Sequence, residues 1–176
     1  MRKPNLAMPF VFMAAAAGVV QSQQAPAQPA AGSMAVNVSW KCAAPNPTHS
    51  LPVPDKANHG YGIDSVKCTA TSGEIGGVKE KEGTGTEFAE VTGNKTKGHG
   101  MFVETLANGD AITYSYQFTG TMKDNMPVSG SNTWQALAGT GKFKGIKGKG
   151  TCKAKGNPDG TMDYSCTGAV STAMAK

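Results

Sequence analysis

Between Gly139 and Gly156 the chain reads GTGKFKGIKGKGTCKAKG, and its lysines recur on alternate residues: Lys142 and Lys144, Lys147 and Lys149, Lys153 and Lys155. Phe143, Ile146, Gly148, Gly150, Cys152 and Ala154 fall between them. A period of two belongs to a β-strand with one wet and one buried face. The phase slips by one residue between Lys144 and Lys147, where Gly145 can supply a β-bulge that returns the lysines to the outside. The reading is a strand with lysines outward and small residues inward.

The rest of the chain agrees with a β architecture. Downstream of residue 33 no segment repeats its apolar residues at helical spacing, and Gly, Thr, Ser and Val are interrupted by frequent turn signals. This pattern predicts an all-β sandwich or barrel. Val36, Val38, Trp40 and Cys42 alternate with polar residues and mark a first strand; Val66, Cys68 and Ala70 mark a second. The connection from Ala43 to Gly62, carrying Pro45, Pro47, Pro52 and Pro54, reads as a lid or surface excursion. Short strands are expected around Val78 and Phe88, and Glu80 and Glu82 are assigned to an exposed strand.

Two hairpins can be registered from their turns. Asn108-Gly109 suits a two-residue type I′ turn. Pairing Ala107 with Asp110 sets Thr105 opposite Ile112, Val103 opposite Tyr114, Met101 opposite Tyr116 and His99 opposite Phe118, with Glu104 on the other face. A strand over Val128 to Leu137 follows, carrying Trp134. Asn157-Pro158-Asp159-Gly160 suits a type I turn with glycine in the left-handed position, which pairs Asn157 with Thr161. Counting back, Lys155 meets Asp163 and Cys152 meets Cys166 at a close, non-hydrogen-bonded pair suited to a disulfide. That leaves Cys42 to join Cys68.

The first 33 residues read differently. Arg2 and Lys3 precede an apolar run from Leu6 to Val20, and small residues follow, so residues 1–22 read as a secretory signal peptide. Residues 23–33, rich in Ala, Pro and Gln, read as a flexible linker. Residues 34–176 form one domain. Four cysteines in an exported chain fit two disulfides, and the localisation expected is secreted or periplasmic, with no membrane span once the leader is removed. Loss of Arg2 and Lys3 lowers the formal charge from +5 to +3 and removes the sole arginine. Without guanidinium forks, nucleic acid is not an expected partner.

From Tyr114 to Thr151 the sequence YSYQFTGTMKDNMPVSGSNTWQALAGTGKFKGIKGKGT resembles the allene oxide cyclase and dirigent barrel group. The resemblance rests on Phe118-Thr119-Gly120, on Gly130-Ser131, and on Gly139-Thr140-Gly141-Lys142-Phe143 with Gly148. It implies an eight-stranded antiparallel barrel with a largely apolar interior, often trimeric in that group. Ile146 and Lys147 stand where the group usually has a small residue and an arginine. No frame matches its catalytic acids, so none is carried over. With its leader and paired cysteines, the chain looks like a bacterial secreted relative of that group.

Several constellations bear on chemistry. Gly139-Thr140-Gly141-Lys142 lacks the hydroxyl residue a phosphate loop needs, because Phe143 follows. His49, Asp55 and His59 in the proline-rich connection match no standard metal spacing, and neither metal nor cofactor is expected. His99, set beside Phe118 on the inward face, is the one candidate general acid or base. Tyr114, Tyr116, Phe118, Trp134 and Tyr164 face small residues and could line a cavity for a small apolar ligand. Lys142, Lys144, Lys147, Lys149, Lys153 and Lys155 form a candidate polyanion-binding face, against the simpler reading of lysines that guard a strand from aggregation. The first expectation is a non-catalytic ligand-binding or scaffold barrel. The alternatives are a cyclase or isomerase acting on a hydrophobic substrate and a polyanion-binding surface protein.

Overall fold

The computed structural model describes residues 32–172; the leader and nearly all of the linker lie outside them. The strands are β1 (Met34–Cys42), β2 (Thr48–Pro52), β3 (His59–Ser72), β4 (Glu74–Ile75), β5 (Val78–Thr92), β6 (Lys95–Leu106), β7 (Ala111–Lys123), β8 (Met126–Gly139), β9 (Lys147–Gly156) and β10 (Met162–Ser171). Neighbours pair antiparallel in the order β3-β1-β10-β9-β8-β7-β6-β5, and β5 pairs back with β3. Eight strands therefore close into a barrel. The short β2 lies beside the first half of β3, on the side where β1 lies beside the second half. The proline-rich connection is thus partly built into the wall, and the two strand-like pieces around Val78 and Phe88 are one continuous β5.

Alternation decides what faces inward. Val36, Val38, Trp40 and Cys42 of β1 are all buried, as their period of two requires. Cys42 stands opposite Cys68, and Cys152 opposite Cys166; both pairs are disulfides. The β9–β10 turn closes as its sequence predicts, with Asn157 N–H donating to Thr161 O at 2.8 Å and Gly160 at φ 81°.

The β6–β7 turn does not follow the type I′ expectation. Leu106 N–H donates to Asp110 O at 2.8 Å, and the loop holds three residues, with positive φ at Gly109 (86°). Asn108 Oδ1 accepts from the Asp110 amide at 3.0 Å, and Asn108 Nδ2 donates to the Asp110 carboxylate at 2.8 Å, which lengthens the loop by one residue. The register is Phe102 opposite Tyr114, Gly100 opposite Tyr116 and Gly98 opposite Phe118. A one-residue slip exchanges the faces of β6. Glu104 points in; His99, Met101 and Val103 point out. The type I′ geometry occurs instead at Asp124 and Asn125, with φ of 52° and 62°.

The lysine segment also departs from expectation in its first part. Gly141–Phe143 is a 3₁₀ turn, and the strand begins at Lys147. Phe143 and Ile146 are fully buried, packed with Ile112, Leu106, Ile75 and Val170 into one core. All of these lie where β1, β5, β7 and β9 start and β6, β8 and β10 end. The turn therefore corks that end of the barrel, and Gly145 (φ 73°) serves the turn rather than a bulge.

Candidate functional site

The glycines on the inner wall are seats for aromatic rings. A Cβ at Gly150 would lie 2.3 Å from Trp134 Cζ2, and one at Gly83 would lie 2.2 Å from Phe102 Cζ. Trp40 meets Phe102 edge-on at 5.3 Å, and Tyr114 meets Trp134 edge-on at 5.5 Å. The rings fill much of the interior and leave a cavity of about 100 Å³. Tyr114, Tyr116, Trp134 and Tyr164 line it, together with Trp40, Phe102 and both disulfides. Phe118 does not. It lies further along β7, with its ring over Gly98 and beside Tyr116 at 6.2 Å.

The cavity is not purely apolar. Glu80, Glu87, Glu104 and Asn132 also line it. A bulge in β5 between Glu80 and Glu82 turns Glu80 inward while Glu82 stays in solvent, correcting the exposed assignment of Glu80. Glu104 is 1% exposed and Glu80 is 8% exposed. Tyr114 Oη donates to Glu104 Oε2 at 2.9 Å, and Tyr116 Oη donates to Glu87 Oε2 at 2.8 Å. Asp64 stands directly opposite Glu87 across β3 and β5. Asp64 Oδ1, Glu80 Oε2, Glu104 Oε1 and Asn132 Oδ1 are buried without a hydrogen-bond partner.

Burial in this setting favours the neutral acids. It pushes Glu80 up to about 9, with the neighbouring Glu104 adding to the effect. It pushes Glu104 up to about 7, against the pull of the Tyr114 hydroxyl. Glu87 is raised by burial, opposed by the Tyr116 hydroxyl and assisted by Asp64. Burial and the adjoining carboxylates hold the Tyr114 and Tyr116 phenols far above their ordinary range, and Tyr164 is raised to about 12 by burial and then by Glu87.

The other singled-out residues lie on the outside. His99 faces solvent, its ring 5.8 Å from Phe88, so it cannot reach the cavity. His59 Nδ1 lies 2.6 Å from Asp55 Oδ1, and its Nε2 lies 3.2 Å from Glu90 Oε1. This clasp holds the β2–β3 loop to β5, while His49 stands apart on β2. Lys147, Lys149, Lys153 and Lys155 project outward from β9. Lys142 donates to the Gly76 carbonyl, and neither it nor Lys144 belongs to the strand.

The acidic lining escaped the sequence reading because it depends on two one-residue events, the longer Asn108 loop and the Lys81 bulge. One signal was available: Glu104 falls two residues from Phe102 and Leu106, the apolar side chains its own strand buries.

No family profile matches the chain, and no curated protein matches it in sequence. Among solved structures, the chain is similar to the pterocarpan synthase dirigent protein GePTS1, at 12% identity and a TM-score of 0.44, covering 80% of this chain and 91% of that one.

Proposed function

We propose that this chain is an exported barrel that binds a small molecule in its interior without transforming it. The ligand has an apolar body and at least one hydrogen-bonding group. The observation that carries this reading is the combination, in one interior space, of aromatic walls with the buried carboxyl groups of Glu80 and Glu104. A ligand site of this kind is largely apolar with a few converging polar groups. At about 100 Å³ the cavity suits a small occupant. Export is supported by the leader-like N-terminus and by the disulfides Cys42–Cys68 and Cys152–Cys166, which persist in oxidising compartments. Among the described residues no helix is long and apolar enough to cross a membrane.

Trp40 and Trp134 both line the cavity, so their fluorescence reports its occupancy. Titration with small hydrophobic molecules, paired with native mass spectrometry, should give a saturable emission change and a one-to-one complex. Absence of both across the panel overturns the reading.

A second reading, acid–base isomerisation of a bound hydrophobic substrate, draws support from Glu80 and Glu104. They share the cavity, and burial raises Glu80 to about 9 and Glu104 to about 7, so at neutral pH Glu80 keeps its proton while Glu104 exchanges its own readily. Turnover that vanishes in Glu104→Gln while binding persists would replace the first reading with this one. His99 has no part in either.

A further inference from the structure

We infer that the interior ligand is a small organic cation, an ammonium held between Glu80 and Glu104 and walled by aromatic rings. The inference rests on the interior-binding reading and names the chemical class that the site would take.

The two carboxyls are neighbours. Glu80 stands opposite Leu106 and Gly83 opposite Glu104, so the β5 bulge brings both acids to adjacent inward positions. Each residue lines the cavity, and each keeps one deeply buried oxygen without a partner. Among the described residues the one side-chain donor from a neighbour to this pair is the Tyr114 hydroxyl, already given to Glu104 Oε2. None of the lining residues is a lysine, arginine or histidine. The cavity therefore carries a pair of acids with no basic side chain among its lining residues. Buried carboxyl groups short of partners are costly, and a charged donor relieves that cost more fully than a neutral one.

The walls point the same way. Ammonium groups are attracted to the faces of Trp and Tyr, more strongly when both are away from water. Trp40, Phe102, Tyr114, Tyr116, Trp134 and Tyr164 surround the space. A ligand with an anionic group would meet the same carboxyls as repulsion. Size sets the upper limit: a dry apolar cavity of about 150 Å³ admits benzene, so about 100 Å³ suits an amine of about five heavy atoms.

The test uses the purified, disulfide-bonded protein and three probes of nearly equal shape: n-butylammonium, 1-butanol and butyrate. Calorimetry and tryptophan emission should show n-butylammonium binding once per barrel, at least tenfold more tightly than 1-butanol, with butyrate inert. Glu104→Gln, which removes the acid that ionises first, should weaken the ammonium at least tenfold and leave 1-butanol unchanged, whereas Glu80→Gln, which keeps the Glu104 carboxylate, should still bind the ammonium at least tenfold more tightly than 1-butanol. Equal binding of 1-butanol and n-butylammonium, or ammonium binding indifferent to Glu104→Gln, overturns the cation while leaving the interior site intact. Failure of all three probes, together with failure of the hydrophobic panel, overturns the site itself.

Discussion

The Tyr114 hydroxyl donates to Glu104 Oε2 at 2.9 Å, among the described residues the one side-chain hydrogen bond to the Glu80–Glu104 pair. Tyr114→Phe should therefore strand a carboxyl that is already short of partners. Losing the donor to a buried acceptor costs about 1–3 kcal/mol. Urea denaturation should show a loss of that size, and the Glu104 titration followed by NMR should move higher, because the hydroxyl now pulls it down.

Stability should fall as pH rises above the ordinary carboxyl range. Glu80 and Glu104 sit at about 9 and about 7, above the ordinary 4.5. The folded chain then keeps protons that the unfolded chain has lost, so their contribution is complete below about 4.5 and is lost as pH climbs through the folded values. Each such proton gives a slope of about 1.4 kcal/mol per pH unit. Asp55, Glu90 and Asp159, lowered mainly by their hydrogen bonds to His59, Lys97 and Thr161, act oppositely and lose their contribution under acid. The urea midpoint should peak near pH 4–5 and decline toward pH 9, and Glu80→Gln should flatten that decline, gaining on the order of 2 kcal/mol at pH 8. A midpoint that rises from pH 5 to 8 contradicts the assignment.

Gly83 is fixed by the Phe102 ring that lies on it. A Cβ there meets three atoms of that ring at 2.2–2.9 Å. Gly83→Ala should cost about 1–3 kcal/mol through overpacking. Adding Phe102→Leu should recover part of that loss, and a double-mutant cycle in thermal unfolding measures the coupling. Strict additivity would mean the ring does not rest on the glycine.

The two disulfides should differ in worth. Cys42–Cys68 spans 26 residues and Cys152–Cys166 spans 14. By loop entropy the first is worth about 3.5 kcal/mol and the second about 3.0 kcal/mol. Replacing each pair by alanine and comparing urea midpoints checks the order; a larger loss at Cys152–Cys166 reverses it.

Where turn chemistry was unambiguous, the sequence carried the structure. Asn157-Pro158-Asp159-Gly160 fixed the register of β9 and β10 down to the cysteine pair, and the alternation from Val36 to Cys42 marked a buried face. The barrel's aromatic lining was legible too, since Tyr114, Tyr116, Trp134 and Tyr164 all reach the cavity. Its acidic half was not. Asn108-Gly109 is compatible with loops of two or three residues, and the choice was made by Asp110, whose carboxylate also accepts the Lys142 amide from a segment 32 residues away. The one-residue difference in that loop separates a register with His99 inward from the observed one with Glu104 inward. The lysine alternation misled at its start for a similar reason: Phe143 and Ile146 were needed at the barrel end, and burial outweighed strand periodicity.

The cork formed by Phe143 and Ile146 fills one end of the barrel. The opposite rim, built from the turns at Gly93, at Asp124 and Asn125, and at Pro158 to Gly160, is where a ligand of the kind proposed would enter. Substitutions at the stopped end would tell on endurance, whereas the choice of guest and the speed of its exchange would be set by three exposed turns that tolerate change far more readily.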